Sequence, residues 1–453
     1  MKHILIIHYH FLPVHNVAVK RLMGYAMQFP AFGWAPLVLT REWSGLDQAD
    51  PSWGLSWEPD LEQAAPYPIH RVAHQPLARS GERGQRTRYR HAAGSLARQM
   101  LGNRAADRVI RTADGMIRKS VRLWRMFSGN YPDEFISWAG PAVAEGIRLA
   151  GRRPLDAIIS YCPPETNHVV GSRLARRLRL PWVPFFGDLY GFLRPRLPPL
   201  SVEGYLRMAW HRRCLAPAAA CAAVSPAMVE YLSTTYRKPV ELVHTGFDHA
   251  GSTEPAATPG RDRLVVSHIG SLYPGDQRPE IFLDGLDRLL ERHPEVQRRL
   301  EVRFVGSKCD DRLRAMLDGR RAGLVCKVHP KVDSRTALAM VRDSDGLLAF
   351  TCTAHRDRFG TLSYPTKVFE AFGARRPVLA VPADGDWVDD LLARTGGGAS
   401  ARDAEEVAAR LWEWFSAWSR DGFIPYHGRS DVIAEFALVR QVERLARLLD
   451  SVS

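Results

Sequence analysis

The chain has 453 residues, enough for two or three domains. Apolar residues make up 45% and charged residues 25%, and no apolar run reaches the roughly 18 residues that a spanning helix needs. This excludes a disordered chain and one that crosses a membrane on a helix. The opening apolar run, Ile4 to Ile7, is too short for a signal peptide, so a cytoplasmic protein is expected. Six cysteines, at 162, 214, 221, 309, 326 and 352, show no CxxC spacing and suggest reduced thiols rather than a zinc or disulfide framework. The net charge is +13 and falls mainly in one place. Residues 79–125 hold thirteen basic side chains against three acidic ones, a local face suited to an anionic partner.

In chain order, Ile4 to His8 reads as a buried strand. A loop with His10, Pro13, His15 and Asn16 follows, then a helix from Val19 to Gln28 and a strand from Pro36 to Thr40. The basic stretch, about 70–135, carries Leu96, Met100, Val109, Ile110, Met116, Ile117, Val121 and Trp124 at helical spacings, and a helical insertion is expected. Strands are then expected at Asp156–Ser160, Trp182–Phe186, Cys221–Ser225 and Val240–His244, with a helix through Leu174 to Leu178. Residues 249–262 have a linker's composition. A second series follows, with strands at Leu264–His268, Glu301–Val305, Gly346–Phe350 and Pro377–Val381 and a last helix from about Asp431 to Leu449. The expected fold is α/β, two Rossmann-like doubly wound domains, with ligands in the cleft between them.

Three groups of residues carry chemistry. Lys367 and Glu370 stand three apart just after Pro365, which suits the start of a helix. A helix N-terminus attracts phosphate, and a glutamate there can accept from ribose hydroxyls. The same spacing also describes a solvated ion pair on a surface helix. Asp188 ends the strand that contains Phe185 and Phe186, where a carboxylate could hold an acceptor or steady a developing oxocarbenium, or simply cap a helix. His168 follows Cys162-Pro163-Pro164 and either faces the cleft or packs in the core.

The segment Tyr364-Pro365-Thr366-Lys367-Val368-Phe369-Glu370, running on to Pro377-Val378-Leu379, resembles the donor-nucleotide helix of GT-B glycosyltransferases, specifically glycosyltransferase family 4. The resemblance extends through FGWAPLVLT (32–40), DAIISYCPPETNHVVGSRLARRLRLPWVPFFGDLYGF (156–192), AAVSPAMVEYL (222–232), HTGFD (244–248) and SHIGSLYPGDQRP (267–279). It implies an acceptor-binding domain at 1–248, a linker at 249–262, a donor domain at 263–425 and a C-terminal helix, 426–453, that packs back on the first domain. It implies sugar transfer from a UDP- or GDP-linked nucleotide sugar, the substrate, with retention of configuration and no cofactor. Glu370 would hold the ribose, and Lys367, Arg278 and Gly270 the diphosphate. Many members carry another glutamate eight positions earlier, where this chain has Leu362. The loop Gly360-Thr361-Leu362-Ser363 would then meet the sugar through backbone N–H groups. His10, His15 and Asn16, in the first loop, together with His168, would touch the acceptor. Asp188, Lys367 and Arg278 would be the catalytic groups.

The aspartate pairs Asp343/Asp345 and Asp384/Asp386 could in principle hold a divalent cation. The resemblance instead gives the diphosphate to protein groups, and no metal is expected. Gly396-Gly397-Gly398 lacks the GK[ST] of a P-loop. The acceptor is expected to be a glycan or a lipid-linked saccharide, with the 79–125 segment against an anionic membrane on the inner face of the cell. Only Tyr89 and Trp124 are aromatic in that segment, so nucleic acid is an improbable partner. The alternatives are a nucleotide-sugar epimerase or a non-catalytic sugar-nucleotide binder of the same fold.

Overall fold

The computed structural model describes residues 1–43, 56–74, 131–189, 202–248, 261–272, 277–306, 310–351 and 366–453. Thr361, Leu362 and Ser363, the 79–125 segment and most of the linker lie outside the described residues. The chain divides into two compact units. The first comprises Met1–Ala222, Ser233–Pro239 and Leu449–Ser453; the second comprises Ala223–Leu232 and Val240–Leu448.

The central strands are short, mainly apolar runs, buried because helices cover both faces of a parallel sheet, while the edge strands are only partly buried. The first series is β1 (Lys2–Ile7), β2 (Val14–His15), β3 (Trp34–Arg41), β4 (Ser56–Trp57), β5 (Ile69–Val72), β6 (Ala157–Cys162), β7 (Trp182–Phe186), β8 (Cys221–Ala223) and β9 (Val240–Leu242). Seven of these form one sheet in the order β5-β3-β1-β6-β7-β8-β9, while β2 and β4 make a separate antiparallel pair. Residues 70–72, expected to open a helical insertion, belong instead to β5. They pair in parallel with β3, where Leu39 meets His70 and Arg41 meets Val72. The alternation of Ile69, His70, Arg71 and Val72 suits an edge strand of this kind.

The second sheet runs β12 (Cys326–His329), β11 (Leu300–Val305), β10 (Leu264–Ile269), β13 (Gly346–Phe350), β14 (Val378–Val381) and β15 (Gly398–Ser400), with neighbouring strands parallel. One apolar layer, with Phe282, Leu286, Phe304, Phe350, Leu411 and Trp418, lies on one face. Another, with Val368, Phe369, Phe372, Val388 and Leu391, lies on the other.

Helix ends are specified locally. Asn16 Oδ1 accepts from Val19 N at 2.9 Å to start α1 (Val17–Gln28). Asp333 and Asp403 cap later helices in the same way. Gly396 and Gly422 end helices at φ +64° and +79°, values that favour glycine. The last helix, Leu438–Val452, begins later than the sequence suggests, because a short helix, Ser430–Ala434, takes the earlier residues. Its final residues count with the first unit, where Asp450 pairs with Lys2 at 3.0 Å. Among the described residues no helix is long and apolar enough to cross a membrane.

Each strand order reverses once, between β1 and β6 in the first sheet and between β10 and β13 in the second. In open parallel sheets such a switch point opens a crevice at the carboxyl ends of the strands, and ligands bind there.

Candidate active site

In the second unit, β10 is followed directly by Gly270, whose φ of +120° excludes most side chains. Its N–H donates to the Val305 carbonyl at 2.7 Å. A Cβ at this position would lie 2.9 Å from both Cε and Nζ of Lys367, closer than real Cβ atoms come. Glycine therefore lets the ammonium rest on the loop backbone. Lys367 is the second residue of α2 (Thr366–Ala374). Desolvation lowers its pKa, and the Glu370 charge one turn along works the other way. A loop backbone without a side chain, a cation and a helix N-terminus thus converge, which is the equipment for an anion. Glu370 is half-buried. Arg278 is exposed, at the N-cap of the helix Pro279–Arg292.

His268, two residues before Gly270, carries no sequence signal beyond its place in the strand. It is 1% exposed. Its Nδ1 faces the Leu348 carbonyl at 3.1 Å, which assigns the proton to Nδ1. Nε2 is then a buried acceptor, without a partner among the described residues. Burial first, and the Lys367 charge second, push its pKa down to about 3, so the ring is neutral.

In the first unit the switch point is packed with polar groups. His8, just past β1, directs Nδ1 to the His10 carbonyl and Nε2 to the Pro163 carbonyl, the latter at 3.1 Å. Burial lowers it to about 4. Asn167 ties the strand ends together, accepting from Tyr9 N at 2.9 Å and donating to the Tyr161 carbonyl at 2.7 Å. The Tyr161 ring packs between His8 and Phe185, at 5.6 and 5.1 Å, and its phenol oxygen accepts from Arg21 Nη1. Asp188, beyond β7, is exposed.

The structure reassigns several residues read as acceptor contacts. His168 does not face a cleft. It is fully buried between Trp182 and Phe186, with Nδ1 2.8 Å from Ser160 Oγ, which also accepts from Trp182 Nε1 at 2.9 Å. Its burial follows from its place on the apolar face of the helix Thr166–Leu178, beside Val169 and Val170. His10 is 3% exposed, against Tyr9, Phe135 and the stacked Trp43. His15 is paired with Glu58 at 3.3 Å. Asn16 is occupied as the cap of α1. Asp188 is therefore the member of the group that solvent reaches readily.

Three of the four aspartates in the two pairs have structural work. Asp343 pairs with Arg303 at 2.8 Å and Asp345 accepts from Val265 N at 2.8 Å. Asp384 accepts from Asp386 N at 3.0 Å, Val388 N at 3.1 Å and Asp389 N at 3.2 Å, which caps the helix Trp387–Thr395.

Solved structures share this architecture along the whole chain. HepE from Anabaena, in a complex with UDP-glucose, is 16% identical with a TM-score of 0.58, and all of both chains are covered. Sucrose-phosphate synthase from Thermosynechococcus elongatus is 14% identical with a TM-score of 0.60, again over all of both chains. A Listeria monocytogenes protein assigned as a UDP-N-acetylglucosamine 2-epimerase is 8% identical with a TM-score of 0.55, covering 100% of this chain and 96% of its own. No protein-family model and no curated protein matches the chain. The fold is the two-domain GT-B fold of glycosyltransferases.

Proposed function

We propose that the chain is a nucleotide-sugar-dependent glycosyltransferase. The observation that carries this reading is the Lys367 ammonium seated on the Gly270 loop at the start of α2, at the switch point of the second sheet. As the glycosidic bond breaks, negative charge grows on the leaving diphosphate. Preorganised donors in a desolvated place stabilise that charge without reorganising. Lys367, the N–H groups of α2 and Arg278 would supply them. Glu370 would accept from the ribose hydroxyls, and the backbone at Thr361, Leu362 and Ser363 would meet the sugar. Asp188 would take an acceptor hydroxyl. The complex of HepE with UDP-glucose supports a UDP-linked donor.

The reaction is read as retaining from the family resemblance, and as metal-independent because Lys367 and Arg278 would take the place of a bridging ion. The acceptor is read as a glycan or a lipid-linked saccharide. The basic face at 79–125 would hold a cytoplasmic protein to an anionic membrane surface.

A second reading is an epimerase, favoured by the Listeria neighbour and by Leu362 at the place of a family glutamate. Incubation with a panel of UDP- and GDP-sugars separates the readings. A transferase releases nucleoside diphosphate, at least slowly to water. An epimerase changes the sugar without lasting release, and a binder only gains thermal stability. Absence of diphosphate release across the panel would sink the transferase reading.

A further inference from the structure

One tyrosine at the first unit's switch point has a geometry that the reading above leaves unused. Tyr161 is 2% exposed, and its phenol oxygen accepts from the Arg21 guanidinium, whose carbon also lies 5.5 Å from the ring centre. Arg21 is itself buried on α1. Guanidinium carries only donors, so it occupies a lone pair of the phenol and leaves the phenolic proton free to be donated. No other group among the described residues hydrogen-bonds this hydroxyl.

Gly187 shows where the hydroxyl sits. A Cβ built on Gly187 would fall 1.7 Å from the Tyr161 oxygen. The phenol therefore occupies the space into which a side chain at 187 would project, at the carboxyl end of β7. Glycine is required there by space alone. The next residue is Asp188, exposed, and close enough for its charge to act on the phenol. Burial raises the phenol's pKa and Arg21 works against that, so the proton stays in place at neutral pH.

We propose that Tyr161 and Asp188 together form a two-point site for one hydroxyl of a saccharide acceptor, Tyr161 donating to its oxygen and Asp188 accepting its proton. An alcohol is at once a donor and an acceptor, and a site that pairs both discriminates against a sugar lacking that hydroxyl. Arg21 polarises the phenol and holds it in place. The hydroxyl read in this way is a non-reacting one, since donation to a nucleophile would weaken it. This inference rests on the proposed transferase reading for the identity of its ligand.

The test uses Tyr161→Phe, which keeps the ring and removes the hydroxyl, and Gly187→Ala, which displaces the phenol. The probes are octyl glycosides of glucose, galactose, mannose and N-acetylglucosamine, titrated by calorimetry without donor. Nucleoside diphosphate release from UDP- and GDP-sugars is followed separately. The wild type should bind at least one glycoside, and both variants, still folded, should bind it about tenfold or more weakly, with unchanged UDP or GDP affinity. Equal glycoside affinity in a folded Tyr161→Phe protein, or no glycoside bound by the wild type, overturns the inference, even where donor turnover upholds the transferase reading. Tyrosine-dependent glycoside binding without any diphosphate release keeps the inference and overturns the transferase reading.

Discussion

The two units use polar residues in opposite ways at equivalent places. At the switch point of the first sheet, His8 and His10 are sealed by neighbours, and His168 is fully buried as well. At that of the second, Lys367 rests against a glycine loop, with Glu370 half-buried nearby. The first arrangement builds a rigid floor whose polar atoms mostly serve the fold. The second leaves a cation beside open backbone and a helix N-terminus, a state that binding an anion would relieve. A switch point thus marks where a site can be built, and the burial of its charges tells which unit invests them in a ligand.

The largest expected effect is at Lys367. Lys367→Ala should lower turnover by about 10²–10³-fold, the scale of removing one donor to developing charge. Its melting temperature should hardly change, because a desolvated cation is lost. Steady-state rates beside a thermal melt check this, and normal turnover would make the lysine a packing residue. Glu370→Ala should weaken nucleoside diphosphate binding by about 1.5–3 kcal/mol, read by calorimetry.

The first unit should respond the other way. His168→Leu should cost about 1–3 kcal/mol in denaturant unfolding, through the lost bond to Ser160, and leave nucleotide affinity alone. Acid sharpens the contrast further. His8 and His168 have folded pKa values of about 4 and 3, against 6.5 unfolded. The unfolded state binds more protons in that window, so stability falls as pH drops below 6.5. The slope is up to about 1.4 kcal/mol per pH unit for each histidine. His10 and His211 are lowered by burial too, and in the second unit His268 is lowered likewise. Asp133, raised to about 7 by burial, opposes the trend between its unfolded value and neutrality. Hydrogen exchange between pH 4 and 8 should therefore show the first unit loosening ahead of the second. The smallest effect is expected from EDTA, which should leave turnover unchanged. Loss restored by magnesium would make Asp384 and Asp386 cation ligands.

Much of this was legible in the residues. Runs such as Ile4–Ile7 and Leu264–Val266 are apolar throughout, as suits a parallel strand covered on both faces. The weaker strands were not legible. Cys326–His329 and Gly398–Ser400 have too little apolar character to stand out, and β5 is a short run in which His70 and Arg71 interrupt the apolar residues. At the site, Gly270, Lys367 and Glu370 were found by resemblance, since nothing local links residues nearly a hundred positions apart. His168 was read too generously, because a histidine beside valines on a helix face folds inward. Tyr161 and His268 gave no signal, because an aromatic or imidazole ring in a strand looks like core until its free polar atom is located.

The central claim is that the second unit holds a nucleoside diphosphate over the Gly270 loop. Calorimetric titration of UDP and of GDP into the wild type, Gly270→Ala and Lys367→Met tests it most directly. The account predicts one-to-one binding of at least one nucleotide by the wild type and a loss of tenfold or more in both variants. Absence of binding by the wild type, or equal affinity in the folded variants, would contradict it.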